Sequence, residues 1–322
     1  MSEHTRWTPD VDVVMPARNE ARHLEAALAA ISAQRYAGRI RIHVAVAPSD
    51  DGTSALAARL AARDPAVSVV PNRSGTTPAG LNAAITASSA PVVVRVDGHC
   101  ELSPDYIARA VDTLARTGAA NVGGVQRPVG ATPFERAVAV AMSSRFGTGG
   151  ARFHVGGPEG PVDTVYLGVF RRHPLMEVGA YDERLLRNQD YELNVRLRAA
   201  GYEVWFDPEL WATYRTRPDM RALARQYYQY GRYKRRVLAR HPRSLKLRQI
   251  VPPIVCTTVI GGLVVGPWWR QALLVPAGYV AALASATAIE GRRYPGIRLR
   301  LAAALATMHF SWSAGLLRGS SD

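Results

Sequence analysis

Two cysteines in 322 residues, Cys100 and Cys256, provide no disulfide framework and point to a reducing compartment. No Gly-x-Gly-x-x-Gly turn follows the first apolar run, Val11–Met15, which argues against a dinucleotide-binding oxidoreductase. The opening Met1–Asp10 is polar and lacks an apolar core, so no secretory signal is expected. Acidic residues are absent from Met220–Arg248, where ten Lys and Arg stand and supply +10 of the formal net charge of +14. A basic run of this kind suits nucleic acid, anionic lipid or a solvated helix face. Apolar segments follow it directly, so the lipid reading is preferred and no nucleic-acid partner is expected.

What the chain does have is an alternation of two periods. Val11–Met15 reads as a buried strand closed by Pro16, and Asn19 is placed to cap a helix from Glu20 to about Gln34. Strands at Ile40–Ala47, Val67–Val70 and Pro91–Val96 alternate with helices at Thr53–Arg63, Pro78–Ala87 and Pro104–Arg116. This spacing predicts an α/β fold, a mostly parallel sheet with helices on both faces. Such sheets bind ligands beyond the carboxyl ends of their strands. Asn19, Asp51, Asn72 and Asp97 each fall just after a strand, so they are expected to share one rim.

Beyond Gly118 the pattern is less regular. Short strands are expected near Asn121–Val125, Val162–Leu167 and Val204–Phe206, with a helix over Gln189–Ala200 stopped by Gly201. Phe146–Gly160 holds six glycines and is read as a lid over an acceptor site. A first domain is expected over residues 1–240, and residues 241–322 form a basic juxtamembrane segment with membrane-associated helices. The three apolar segments of this tail are Ile250–Pro267, Ala272–Ile289 and Leu301–Leu317. As helices they are roughly 26 Å long, at the short end of what spans a hydrocarbon core of about 30 Å. Arg292, Arg293, Arg298 and Arg300 and the basic run would lie inside, giving a hairpin and then a third crossing. His309 and Ser311 make the third segment the weakest, and a bundle lying on the membrane surface is the alternative.

Two stretches carry the chemistry. Arg95-Val96-Asp97-Gly98-His99 closes an apolar strand with a carboxylate and an imidazole two residues apart. A hard oxygen ligand beside an imidazole suits a divalent cation, Mn²⁺ ahead of Mg²⁺. Arg187-Asn188-Gln189-Asp190 puts a carboxylate at the mouth of a helix, where it can serve as a general base or merely cap the helix. Glu192, farther along that helix, is read as structural.

Pro16-Ala17-Arg18-Asn19-Glu20 resembles the opening motif of family 2 glycosyltransferases, and Ser49-Asp50-Asp51-Gly52-Thr53 resembles their second element. Asp97-Gly98-His99 stands where that family has its metal-binding Asp-x-Asp, and Asn188-Gln189-Asp190 where it carries the catalytic base. Gln226 with Gly231-Arg232-Tyr233 is a loose form of a downstream Gln-x-x-Arg-Trp element. Asp163–Gly168 and Asn188–Asn194 are similar to the succinoglycan type of the family, which extends lipid-linked exopolysaccharide units.

The resemblance implies a GT-A fold, Rossmann-like, followed by C-terminal membrane helices. It implies an inverting, metal-dependent transfer from a nucleotide-sugar donor to a lipid-linked, polyprenyl-diphosphate-type glycan at the inner face of the cell membrane. Asp190 is then the base, and Asp97 and His99 hold the metal. Pro16, Arg18, Asn19, Glu20, Asp51, Asn72, Arg73, Asn82, Asp97, Gln226 and Arg232 line the donor site, with Lys234 and Tyr227, Tyr228 and Tyr230 closing over it. Val46 and Ala47 occupy the region where the family carries an earlier Asp for the nucleobase, so uridine is not implied. A polyprenyl-phosphate acceptor and a non-catalytic nucleotide-binding scaffold are the alternatives.

Overall fold

A computed structural model describes residues 7–318; Met1–Arg6, most of the polar opening, lie outside them. The chain divides into two compact units, residues 1–126 with 156–214, and residues 127–155 with 215–322. The helix over 220–240, which the sequence reading groups with the first domain, therefore belongs with the C-terminal helices.

The chain opens with β1 (Val11–Ala17), α1 (Leu24–Ser32), β2 (Ile40–Val46), α2 (Thr53–Arg63), β3 (Val67–Pro71), α3 (Thr77–Ala87), β4 (Val92–Arg95) and α4 (Tyr106–Thr117). After β5 (Asn121–Val129) come three helices of the second unit, α5 (Pro133–Ser143), α6 (Arg145–Thr148) and α7 (Arg152–Val155). The first unit is completed by β6 (Gly160–Pro161), β7 (Tyr166–Arg171), α8 (Arg172–Glu177), α9 (Gln189–Ala199) and β8 (Val204–Arg215). The second ends with α10 (Met220–Arg240), α11 (Leu247–Val265), α12 (Leu274–Glu290) and α13 (Arg298–Arg318).

One sheet runs through the first unit in the order β3-β2-β1-β4-β7-β5-β8-β6. The pairs β1–β2, β2–β3 and β1–β4 are parallel, as the alternating pattern predicts. β7 then runs antiparallel to both β4 and β5, and β6 antiparallel to β8, extending the sheet from the region where the sequence pattern weakens. Val11, Val13, Val14, Met15 and Val92–Val94 are all buried, because helices cover both faces of the parallel half. α4 shows the matching face, with Ile107, Ala110, Val111 and Leu114 buried at helical spacing, and it ends at Gly118 in the left-handed region. The chain steps from β1 to β2 and β3 on one side, then places β4 on the other side of β1. Such a reversal opens a crevice beyond the carboxyl ends of the two central strands.

Several local expectations are corrected. Asn19 does not cap α1: it sits at φ 57°, and the helix starts at Leu24 after a turn over Glu20–His23. The strand expected at Val162–Leu167 instead begins at Tyr166 and runs to Arg171, where it can pair with both β4 and β5. The glycine-rich Phe146–Gly160 is not structureless. Its first part contains the short helices α6 and α7, and His309 Nε2 of α13 lies 2.7 Å from the Phe146 carbonyl oxygen.

In the second unit α10 and α13 cross at backbone contact. A Cβ on Gly231 would lie 2.1 Å from the Trp312 carbonyl oxygen, and one on Gly315 2.0 Å from that of Tyr228. α13, which carries the third apolar segment, buries Leu301, Ala304, Leu305 and Met308. Among the described residues, 247–265 and 270–293 are long and apolar enough to cross a membrane. Only 22% and 17% of their apolar windows are buried, unlike the core helices of a soluble protein.

Candidate active site

The loops after β1 and β2 are tied to each other by short polar bonds. The Asn19 amide donates to Ser49 Oγ (3.2 Å), and Asn19 Oδ1 accepts from the Asp50 amide (3.3 Å). Asp51 Oδ1 accepts from the amide (3.0 Å) and hydroxyl (2.6 Å) of Thr53, and its Oδ2 from the Ala21 amide (3.0 Å). Thr53 Oγ1 in turn accepts from the Glu20 amide at 2.8 Å. Asp51 therefore has both carboxylate oxygens engaged in shaping the loop, and the Thr53 hydrogen bond leads the effects that hold its pKa down. Pro16 is half-buried at the end of β1.

Asn72 is buried, with its Nδ2 on the Thr76 carbonyl (2.9 Å) and its Oδ1 accepting from Ser74 Oγ (3.2 Å). Asn82 is likewise taken up by the fold. It donates to the Tyr181 carbonyl (2.8 Å) and Glu183 Oε1 (2.9 Å) and accepts from the Tyr181 amide (3.0 Å), clamping α3 to the segment that leads into α9. Asp51, Asn72 and Asn82 thus each hold hydrogen-bond partners within the fold. Arg18 and Arg73 are exposed on the same rim, with Arg18 Nη1 3.4 Å from the Gly75 carbonyl oxygen.

At the centre lies a residue that the motif reading passed over. Arg95, the last residue of β4, is 5% exposed. It donates through Nε (3.2 Å) and Nη2 (3.0 Å) to Asp97 Oδ1, and through Nη1 to Asp190 Oδ1. Its guanidinium also lies 5.9 Å from the centre of the Tyr181 ring. One buried cation therefore joins two acidic residues that lie 93 positions apart in the sequence.

Asp190 lies in the first turn of α9, just after Asn188 in the left-handed region, where the helix amides favour an anion. Burial pushes its carboxyl above the ordinary range and the Asp97 charge adds to that; Arg95 opposes both without cancelling them. Burial would raise Asp97 too, but the Arg95 guanidinium beside it outweighs that and holds the group low. Glu192 points away, paired with Arg196 at 2.8 Å, as its structural reading required.

The residues beside Asp97 suit a divalent cation. Ligand atoms of Asp97, His99 and Cys100 lie within 4.8 Å of one another. His99 Nδ1 is 2.8 Å from Glu20 Oε1, the carboxylate–histidine pairing common behind metal-bound imidazoles. Cys100 is the poor member of the set. Burial, aided by the Asp97 charge, pushes its thiol up to about 12, and its Sγ lies 3.3 Å from the Tyr166 hydroxyl. A carboxylate and an imidazole with a thiol held protonated behind them favour Mn²⁺ or Mg²⁺ over thiolate-seeking metals.

Comparisons with known proteins show the family and the fold. Glycosyl transferase family 2 matches over residues 12–179. Succinoglycan biosynthesis protein ExoA of Rhizobium meliloti (strain 1021) is 32% identical over 95% of this chain and 93% of its own length. This chain belongs to glycosyl transferase family 2. It is a glycosyltransferase of the exopolysaccharide-biosynthesis type. Glycosyltransferase AglE of Haloferax volcanii is 26% identical over 69% of this chain and 72% of its own length. Among solved structures, the mannosyltransferase PcManGT from Pyrobaculum calidifontis, in complex with GDP-Man and Mn²⁺, superposes with a TM-score of 0.60 at 19% identity. That match covers 94% of this chain and 87% of the other, and it shows the GT-A fold.

The other residues that the family motifs single out lie in the second unit. Gln226 is buried, accepting from Arg217 Nε (3.1 Å) and donating to the Tyr230 hydroxyl (2.7 Å). Arg232 is half-buried on α10. Lys234 is 1% exposed, with its Nζ 3.4 Å from both Ser244 Oγ and the Ser244 carbonyl oxygen. These contacts join α10 to the turn that follows it. Arg95 had one signal in the sequence of this glycosyltransferase: a cation inside the apolar run Pro91–Val96 has to find anionic partners once the strand is buried.

Proposed function

We propose that this glycosyltransferase moves a sugar, with inversion, from a nucleoside-diphosphate donor to a hydroxyl of a lipid-linked glycan at the cytoplasmic face of the membrane. The observation that carries the reading is the Arg95 bridge, which sets Asp190 and Asp97 in one cleft at the carboxyl end of the central strands. Asp190 takes the proton of the attacking hydroxyl. Its raised pKa makes it a stronger base than an exposed carboxylate, and Arg95 keeps it aimed. A single in-line displacement at the anomeric carbon inverts its configuration. A divalent cation held by Asp97 and His99 would neutralise the charge that builds on the departing diphosphate. The Pyrobaculum mannosyltransferase, solved with GDP-Man and Mn²⁺, supports a nucleotide sugar and a metal of this class.

A lipid-linked acceptor is supported by the similarity to a succinoglycan biosynthesis protein and by the exposed apolar helices α11 and α12. Arg292, Arg293 and Arg298 follow the second apolar helix, and the basic run of α10 precedes the first. Placing both inside puts the catalytic unit in the cytoplasm.

Asp190→Asn tests the reading. With a hydroxyl acceptor, loss of the base lowers transfer by roughly 10²–10⁴-fold. A phosphate acceptor is already ionised, so unchanged turnover in this variant would replace the glycan hydroxyl with a polyprenyl phosphate.

A further inference from the structure

Glu20 belongs to the loop after β1 and His99 to the loop after β4, and these neighbouring strands flank the crevice. The two loops are fitted closely. A Cβ on Gly98 would stand 3.2 Å from Glu20 Cγ, so the glycine lets the Glu20 side chain pass and reach the imidazole. Glu20 is fixed from behind by the hydrogen bond its backbone amide donates to Thr53 Oγ1, and the next amide donates to Asp51. Its side chain is 15% exposed, against 32% for His99.

An ionised carboxylate only accepts hydrogen bonds, so the 2.8 Å contact with Glu20 Oε1 requires His99 to carry a proton on Nδ1. A neutral imidazole protonated there has its lone pair on Nε2. We infer that Glu20 is a positioning residue for the cation site: it fixes the tautomer and orientation of His99, making Nε2 the atom that joins Asp97 in holding the metal. This rests on the proposed metal reading and adds a residue that acts through His99. It also gives Asp51 and Thr53 an indirect part, as the support that keeps Glu20 in place.

The test is Mn²⁺ binding to the full chain, followed by electron paramagnetic resonance with the metal alone and again with GDP or UDP. Loss of a carboxylate behind a ligating histidine typically costs 10- to 100-fold in metal affinity. Glu20→Ala is expected to weaken Mn²⁺ binding by that factor. Glu20→Gln, which keeps an acceptor oxygen, should weaken it less, and His99→Ala more. Long-range ¹⁵N–¹H spectra of the metal-free protein supply a second readout, with His99 protonated on Nδ1 in the parent and in Glu20→Gln but mixed in Glu20→Ala. Wild-type affinity in Glu20→Ala alongside a weakened His99→Ala overturns the role of Glu20 alone. If His99→Ala and Asp97→Asn also bind Mn²⁺ like the parent, the metal reading falls and takes this inference with it.

Discussion

Two arginine–carboxylate clusters sit on the neighbouring strands β1 and β4, one at each end, and they are built on opposite plans. At the start of β1, Asp12 is fully buried and receives Arg41 Nε (2.8 Å) and the amides of Ser89 (2.6 Å) and Ala90 (2.7 Å). Burial alone would raise its pKa. His43, the two amides and Arg41 outweigh burial and hold it far below the carboxylate range. At the end of β4 the numbers are reversed: one guanidinium serves two carboxylates, and Asp190, 34% exposed at its side chain, is pushed up. The first cluster is saturated with donors and ties β1 to β2 and to the turn before β4. The second is short of donors and leaves a carboxylate poised to take a proton. Similar residue types give a staple in one place and a reactive centre in the other, and the ratio of donors to acceptors decides which.

The comparison breaks most visibly at Arg95. Arg95→Met leaves Asp97 and Asp190 without their shared cation, and removing one member of a buried ion pair costs about 3–5 kcal/mol. Both the melting temperature and transfer should fall. Arg95→Lys, which keeps the charge but not the fork, should recover more stability than turnover. If Arg95→Met retains full transfer, the bridge has no part in the chemistry.

Asp12→Asn gives the opposite profile. It is expected to lower stability by about 2–3 kcal/mol, discounted because Arg41 is partly exposed, while the rate per folded molecule is unchanged. Denaturant melts and initial rates on the same preparation measure both. A fall in turnover greater than the loss of folded protein would erase the distinction between the clusters. In the second unit, Gly315→Ala places a methyl against the Tyr228 carbonyl at the α10–α13 crossing, and overpacking of this kind costs roughly 1–3 kcal/mol. Gly278→Ala is the control, because a Cβ there meets nothing within 4 Å. Equal melting temperatures for the two variants would mean that the helices do not meet at backbone contact.

These contrasts also show what the sequence could reveal. The parallel half of the sheet was legible because Val11–Met15, Ile40–Ala47 and Pro91–Val96 are mostly apolar segments separated by helical periods. The rim was legible as a consequence, since residues after parallel strands must share one edge. β6, β7 and β8 were blurred, because antiparallel additions to a sheet are set by their partners as much as by their own period. Side-chain partnerships were harder still. Asn82 reads like a polar lining residue, yet its amide is directed at Tyr181, a contact about a hundred residues away that no local pattern encodes. The seating of α13 against α10 was not legible either, because hydropathy does not register Gly231 and Gly315, the small residues that allow it.

The smallest effect appears only on acidification, and its sign separates the clusters without any mutation. Asp190 has a native pKa above its unfolded value, near 3.9, so the base is lost as pH falls through that raised value. Protonating it does not destabilise the fold, because the native state already disfavours its ionised form. Asp12 has a native pKa below its unfolded value. Its contribution to stability is complete above about 3.9 and is lost only as pH falls from there toward the lower native value. Transfer should therefore fail at a higher pH than folding, and activity should return on neutralisation without a refolding step. A pH profile of turnover laid over a pH series of thermal melts checks this. Coincidence of the two acid limbs would mean that Asp190 is held as low as Asp12, and the contrast between a staple and a poised base would disappear.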